Sequence, residues 1–440
     1  MPQTVDLIIR PTWTLQTDPA VVASAGMSVA IDDGRIVAVM ADEALREAYS
    51  ADVVHERPGH ILMPGLINAH CHAGMSLMRG FADDIPLEQW LGEHFWPAES
   101  RWITPEFVAD GTRLGVAEML LGGTTCFADM YYFPDVVAEV AEEAGMRCAV
   151  GMIALEAPTA WAQNADEYIE KGLAVHDATR SLARVTTTFA PHAPYSVADS
   201  TLERIRRLAD ELDVPIHMHI HETAAEVSEA LAEHGERPLS RLERLGYLTP
   251  NLMAVHATAL DDAEIDALAR ERASVVHCPR SNLKLASGAC RVADLLAAGV
   301  NVALGTDGAA SNNRLDMFAE MQLAALLGKH VAADASAVSA RQALQMATIN
   351  GARALGLESQ LGSIAPGKSA DVICVALDTL HQLPVLDPVS HLVYTTSRDQ
   401  VTDVWISGEH LVRAARLQRT PIDSIRARTA MWAEKLGQSL

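Results

Sequence analysis

Residues able to do chemistry stand out first in the segment Asn68-Ala69-His70-Cys71-His72, which follows the apolar run ILMPGLI. Alternate side chains of a strand share a face, so His70 and His72 point the same way and two imidazoles can grip one metal ion. A lone His-x-His pair also arises from packing, and single motifs match by chance often. A second segment, His217-Met218-His219-Ile220-His221-Glu222-Thr223, sets three histidines on alternate positions and follows them with an acid. Buried imidazoles need partners, so three on one strand are costly in an ordinary core. His217, earliest in that strand, also fits a packing role. Val255-His256 and Gly305-Thr306-Asp307-Gly308 close two further apolar runs. An aspartate so placed can ligate a metal or act as a base. In isolation each of these is more often a satisfied core histidine or a turn aspartate. Together, four strand ends each offer a ligand or an acid.

The elements that must gather those ends are legible as alternating patterns. Candidate strands are Ile61–Met63, Thr124–Ala128, Arg147–Met152, Val185–Phe189, Pro215–His219, Leu252–His256, Ser274–His277 and Asn301–Leu304. Helical patterns such as Ser200–Glu211 and Asp261–Arg272 separate most of them. Eight strand–helix units predict a (β/α)8 barrel, whose active sites lie at the C-terminal strand ends. A doubly wound sheet is the competing architecture. Before residue 61 the runs DLIIR, MSVAIDD and RIVAVM suggest a small antiparallel sheet, and after 365 the same style returns in Asp371–Val375 and Val404–Ile406. The organisation expected is therefore a β-sandwich side domain from residues 1–60 and 366–440, with a helical tail from about 421, around a catalytic barrel at 61–365.

The chain has 440 residues and 49% apolar content, ample for a large barrel with an appendage. Its formal net charge of −23 offers no basic face for displacing counterions from a nucleic acid, so a small-molecule substrate is expected. No apolar run is long enough to span a membrane. The N-terminus lacks the basic start and apolar stretch of a signal peptide. Six scattered cysteines without a C-x-x-C pair suit a reduced cytoplasm. A homo-oligomer is left open.

Taken together, PGLINAHCH, HMHIHET, AVH, LGTDGAASNN and GSIAPGKSADVIC resemble the amidohydrolase superfamily over nearly the whole length. HCHAGMSLMRGFADDIPLEQWL, FWPAE, APHAPYS, HCPRSNLKLASG and GTDGAASNNRLDMFAEM resemble one subgroup, the 5′-methylthioadenosine/S-adenosylhomocysteine deaminases. The resemblance implies that His70, His72, His219 and Asp307 bind one divalent ion, zinc first, with iron and manganese as alternatives. The choice of His219 over His221 rests on the family's H-x-x-E spacing to Glu222. No lysine sits at a bridging position, which implies one metal. Glu222 would shuttle the proton, His256 would hold the attacking hydroxide, and Asp307 would take the water's proton and help deliver it to the leaving amine. His192 would touch the purine, Glu99 would accept from the ribose hydroxyls, and Trp90 would line the pocket near the 5′ group.

The implied reaction is hydrolytic removal of an adenine-type amino group. It differs from the zinc deaminase design built on H-x-E followed by P-C-x-x-C, which does not occur here. Subgroup members that accept S-adenosylhomocysteine carry arginines in the loop after the third strand. Here that stretch, GMIALEAPTAWAQNADEYIEKG, has none. A carboxylate tail would find no bidentate guanidinium there. 5′-Methylthioadenosine is therefore expected as the favoured substrate, with adenosine second and S-adenosylhomocysteine weak. The rivals are a relative acting on guanine, cytosine or a triazine, and a non-catalytic barrel scaffold.

Overall fold

The computed structural model describes residues 1–86 and 89–437. Eight parallel strands run in chain order, each paired with the next: Leu66–Cys71, Thr124–Asp129, Arg147–Ala154, Val185–Pro191, Ile216–Ile220, Leu252–His256, Ser274–His277 and Asn301–Leu304. Helices cover them outside, so the strands have no solvent face, and this is why they read as near-continuous apolar runs. The expected (β/α)8 barrel is present.

The helices begin where the sequence supplies caps. Thr104, Asn164, Thr223, Asp261, Asp316 and Ser339 each accept a backbone N–H from the first turn of the helix they open. Each such cap is worth about 1 kcal/mol. Thr223 directly follows Glu222, so the start of the helix Ala224–His234 is tied to that acid's position.

The barrel closes between its last and first strands by side-chain bridging. The Asn68 amide donates to Thr306 Oγ1 at 2.8 Å and accepts from Thr306 N at 2.9 Å. Asp307 N donates to His70 O at 3.0 Å. A Cβ on Gly305 would stand 2.8 Å from His70 Cβ, so only glycine lets the two strands meet this closely.

One strand assignment is corrected. Ile61–Met63 lies in a long strand, Tyr49–Pro64, that belongs to the side sheet, and the first barrel strand is Leu66–Cys71. Pro64 has no N–H to continue a ladder, and the side chain of Thr125 leaves no room for a Cβ on Gly65. The chain thus passes from one sheet to the other at that dipeptide rather than at residue 60.

The two chain ends build one nine-stranded sheet. It is mixed rather than antiparallel, because Gln3–Gln16 pairs in parallel with Tyr49–Pro64. Leu7, Ile9, Val29, Ile31 and Leu62 from the N-terminal part share a core with Val372, Cys374 and Trp405 from the C-terminal part, as in a sandwich. The helical tail, Ile422–Gly437, packs on the barrel helix Pro105–Leu121, where Trp432 Nε1 donates to Asp110 at 2.8 Å. No helix among the described residues is long and apolar enough to cross a membrane. All six cysteines are buried and unpaired.

Candidate active site

At the C-terminal end of the barrel the first, fifth and eighth strands bring four donors together. The ligand atoms of His70, His72 and His219 lie within 4.8 Å of one another. Asp307 Oδ1 stands 3.3 Å from His70 Nε2 and 3.1 Å from His72 Nε2. His70 is wholly buried, and its Nε2 has no hydrogen-bond partner.

Every remaining polar atom of these groups is held. His70 Nδ1 meets His217 Nε2 at 2.8 Å, His72 Nδ1 donates to Met130 O, and His219 Nδ1 donates to His192 O at 2.8 Å. Asp307 Oδ2 accepts from Ser281 Oγ at 2.6 Å and Ser311 Oγ at 2.7 Å, and Oδ1 accepts from Gly308 N at 2.8 Å. Outer partners of this kind fix imidazole orientation and tautomer, leaving the inner nitrogens free to coordinate.

The electrostatics agree with a cation site. Burial pushes His70 down to about 3 and His219 well below its ordinary value, so both are neutral, the metal-binding form. Burial also opposes charge on His72, but its bond to Asp307 wins and raises it to about 9. Burial would raise Asp307, and the two imidazoles hold it low instead. A dication at the same point would take over that proton's role as counter-charge. The residues present therefore fit a divalent metal with three nitrogen donors and one oxygen donor.

Glu222 and His256 flank this centre, with Oε2 and Nε2 3.8 Å apart. Burial raises the Glu222 carboxyl above its usual range, as a proton donor requires. His256 Nδ1 is bound to Asn282 Oδ1 at 2.8 Å. Glu99 is buried and accepts from Tyr131 Oη at 2.7 Å; burial takes it up to about 7, against the lowering effect of that bond. His192 Nδ1 meets Ser196 Oγ at 3.0 Å. Trp90 is buried and stacked on Phe95 at 4.2 Å.

All nine expected site residues, His70, His72, Trp90, Glu99, His192, His219, Glu222, His256 and Asp307, line or floor one pocket. His217 is the partner that orients His70. His221 does not join the centre. The strand stops at Ile220, and His221 adopts a left-handed φ of 51° that breaks the alternation. Its Nε2 instead accepts from Leu239 N at 3.2 Å.

Several lining residues had no assigned role in the sequence. Trp96, three residues before Glu99 on one helix, and Tyr195 form the rim where the pocket widens. Ser281, Asn282 and Ser311 sit inside the motifs HCPRSNLKLASG and LGTDGAASNN, but only the fold shows what they touch. Beyond Glu99 the pocket opens into an apolar lobe walled by Ile103, Tyr132, Leu155, Ala157, Pro158 and Ala160. Among the described residues no arginine lines it. On the opposite side Arg241 approaches, but its guanidinium is committed to Asp199, Pro194 O and Val197 O.

The amidohydrolase family model matches residues 61–411. A protein of Teredinibacter turnerae named 5-methylthioadenosine/S-adenosylhomocysteine deaminase is 51% identical over 99% of this chain and 98% of its own. A Methanothermobacter thermautotrophicus protein named 5′-deoxyadenosine deaminase is 43% identical over 92% of this chain and 94% of its own. The crystal structure of a Xanthomonas campestris adenosine deaminase with bound zinc superposes with a TM-score of 0.98, at 47% identity and full coverage of both chains. With a family match running through both the barrel and the returning strands, the chain belongs to the amidohydrolase family.

Proposed function

We propose that the chain is a metal-dependent hydrolytic deaminase that removes the 6-amino group of an adenosine-type nucleoside, with 5′-methylthioadenosine the favoured substrate. The observation that carries this reading is the buried set His70, His72, His219 and Asp307, with Glu222 and His256 on its open side. Relatives named as deaminases of such nucleosides support it.

A divalent ion held by the four donors would make water acidic enough to act as a nucleophile near neutral pH. The chain's own groups do the rest. Glu222, whose carboxyl burial shifts toward the protonated form, donates to the ring nitrogen beside the carbon under attack. His256, fixed by Asn282, faces the attacking oxygen and stabilises charge as it develops. Asp307, anchored by two serine hydroxyls, receives one proton of the water and passes it to the departing amine, and the remaining hydroxyl proton returns to Glu222 as the carbonyl forms. Glu99 has one oxygen occupied by Tyr131 and the other available for the ribose. His192 and Trp90 line the same pocket, in keeping with contacts to the purine and to the 5′ group respectively. The barrel is the catalytic unit, and the side sheet flanks it.

The apolar lobe beyond Glu99 favours a methylthio cap over an amino-acid tail, since among the described residues no arginine lines the lobe and the nearby Arg241 is already paired. The test is turnover of methylthioadenosine, S-adenosylhomocysteine, adenosine and guanine on protein of known metal content. Methylthioadenosine is expected to show the highest kcat/KM. Guanine as the preferred substrate would overturn the nucleoside reading, and equal use of S-adenosylhomocysteine would overturn the argument from the missing arginine.

A further inference from the structure

Glu222 does not sit on the strand that carries His219. It sits one residue past His221, whose left-handed backbone turns the chain so that Glu222, rather than His221, faces the pocket. A non-glycine residue in that conformation costs roughly 1 kcal/mol or more and persists only when its surroundings hold it.

On one side a single carboxylate holds both backbone N–H groups of the turn. Glu226 Oε1 accepts from His221 N at 3.1 Å, and Oε2 accepts from Glu222 N at 2.7 Å. Glu226 is itself placed by the helix cap, its own N–H donating to Thr223 Oγ1 at 3.1 Å. On the other side of the turn, Thr258 N donates to His221 O at 2.9 Å and Thr258 Oγ1 donates to Glu222 O at 2.8 Å. Thr258 lies two residues past His256, so the same clamp joins the Glu222 turn to the His256 loop.

We propose that Glu226, with Thr258 opposite it, is a positioning residue for Glu222: it sets the backbone turn that holds the shuttle carboxylate against His256 and the donor centre. This rests on the reading of Glu222 as the proton shuttle. A displacement of about 1 Å in a reacting group costs up to roughly 10²-fold in rate, so loosening the turn should act on kcat.

The experiment is a double-mutant cycle on the metal-loaded enzyme with methylthioadenosine. Glu226→Ala is expected to lower kcat about 10- to 100-fold, with KM within about twofold and metal stoichiometry unchanged. Glu226→Gln keeps one acceptor and should lose less. In a Glu222→Gln background, Glu226→Ala should add less than about a twofold loss, because both act through one carboxylate. An unchanged kcat in Glu226→Ala overturns the inference, as does a full multiplicative loss in the Glu222→Gln background. Loss of metal alongside kcat also overturns it, by making Glu226 part of the general scaffold. If Glu226→Ala does not fold, Glu226→Gln runs the same cycle. Near-normal turnover of Glu222→Gln alone would instead remove the shuttle reading itself, a separate result.

Discussion

Two buried clusters in this molecule are built from the same residue types. In the side sheet, Asp403 is gripped by both arms of Arg57 at 2.7 Å, by His410 Nε2 at 2.9 Å and by Thr402 Oγ1 at 2.8 Å. His410 stacks on Trp405 at 4.4 Å, and His55 meets it edge-on. In the barrel, Asp307 meets His70 and His72, yet among the described residues no arginine or lysine lines that pocket. The first cluster carries its own permanent cation, so both oxygens of the Asp403 carboxylate are matched internally. The second leaves an imidazole nitrogen without a partner, and its carboxylate oxygen faces only imidazoles where the first has a guanidinium. A histidine–carboxylate cluster thus becomes a metal site when the fold withholds the guanidinium that would otherwise satisfy it.

The largest expected effect tests that contrast directly. Stripping the metal with a chelator should take turnover to background and added zinc should restore it. Asp403→Asn should leave metal content and turnover as they are. Turnover that survives chelation would place the chemistry elsewhere.

Next in size is Glu222→Gln, which removes the proton donor but no ligand. Turnover should fall about 10²- to 10⁴-fold while bound metal stays at one per chain, read by elemental analysis beside kinetics.

Asp403→Ala should destabilise the fold by about 3 kcal/mol, measured by denaturant unfolding, because it leaves Arg57 facing an emptied, mostly buried site. Burial would raise the Asp403 carboxyl, but His410 and Arg57 hold it well below its usual range. Its folded value is depressed, so its contribution is complete above about pH 4 and is lost as pH falls below that. The variant should accordingly show a flatter acid limb than the parent.

His217→Phe probes the outer partner of His70. Metal affinity should drop about 10- to 100-fold in a competitive chelator titration, with the fold retained. The smallest effect is expected from Thr159→Arg, at the edge of the apolar lobe. A part-exposed ion pair is worth about 1 kcal/mol at most, so kcat/KM for S-adenosylhomocysteine should rise a few-fold relative to methylthioadenosine.

Much of the site was legible because its parts are local. His70, His72, His219, Glu222, His256 and Asp307 each sit in a short motif at a strand end, and a parallel barrel gathers such ends by topology alone. Two readings failed for an identifiable reason. Ile61–Met63 has a barrel strand's apolar pattern, yet the register of a distant strand, Val372–Ala376, claims it for the side sheet. His221 continues the alternation on paper, but alternation assumes extended backbone, and a left-handed residue ends it. His256 and Asp307 are left-handed too, with φ of 74° and 61°, so backbone strain gathers at three of the strand ends that form the pocket.

The amino-acid sequence by itself determined the strand–helix rhythm, the helix caps, the ligand types and the absence of an arginine after the third strand. These follow from periodicity and residue chemistry, which act over a few residues. Only the tertiary structure decided that Asn68 closes the barrel onto Thr306, that His217 orients His70, that Ser281 and Ser311 anchor Asp307, and that Glu226 holds the turn bearing Glu222. Apart from the Glu226 turn and the Ser311–Asp307 bond, each of these joins residues far apart in the chain, and all depend on ångström-scale distances set by how the whole barrel closes and packs.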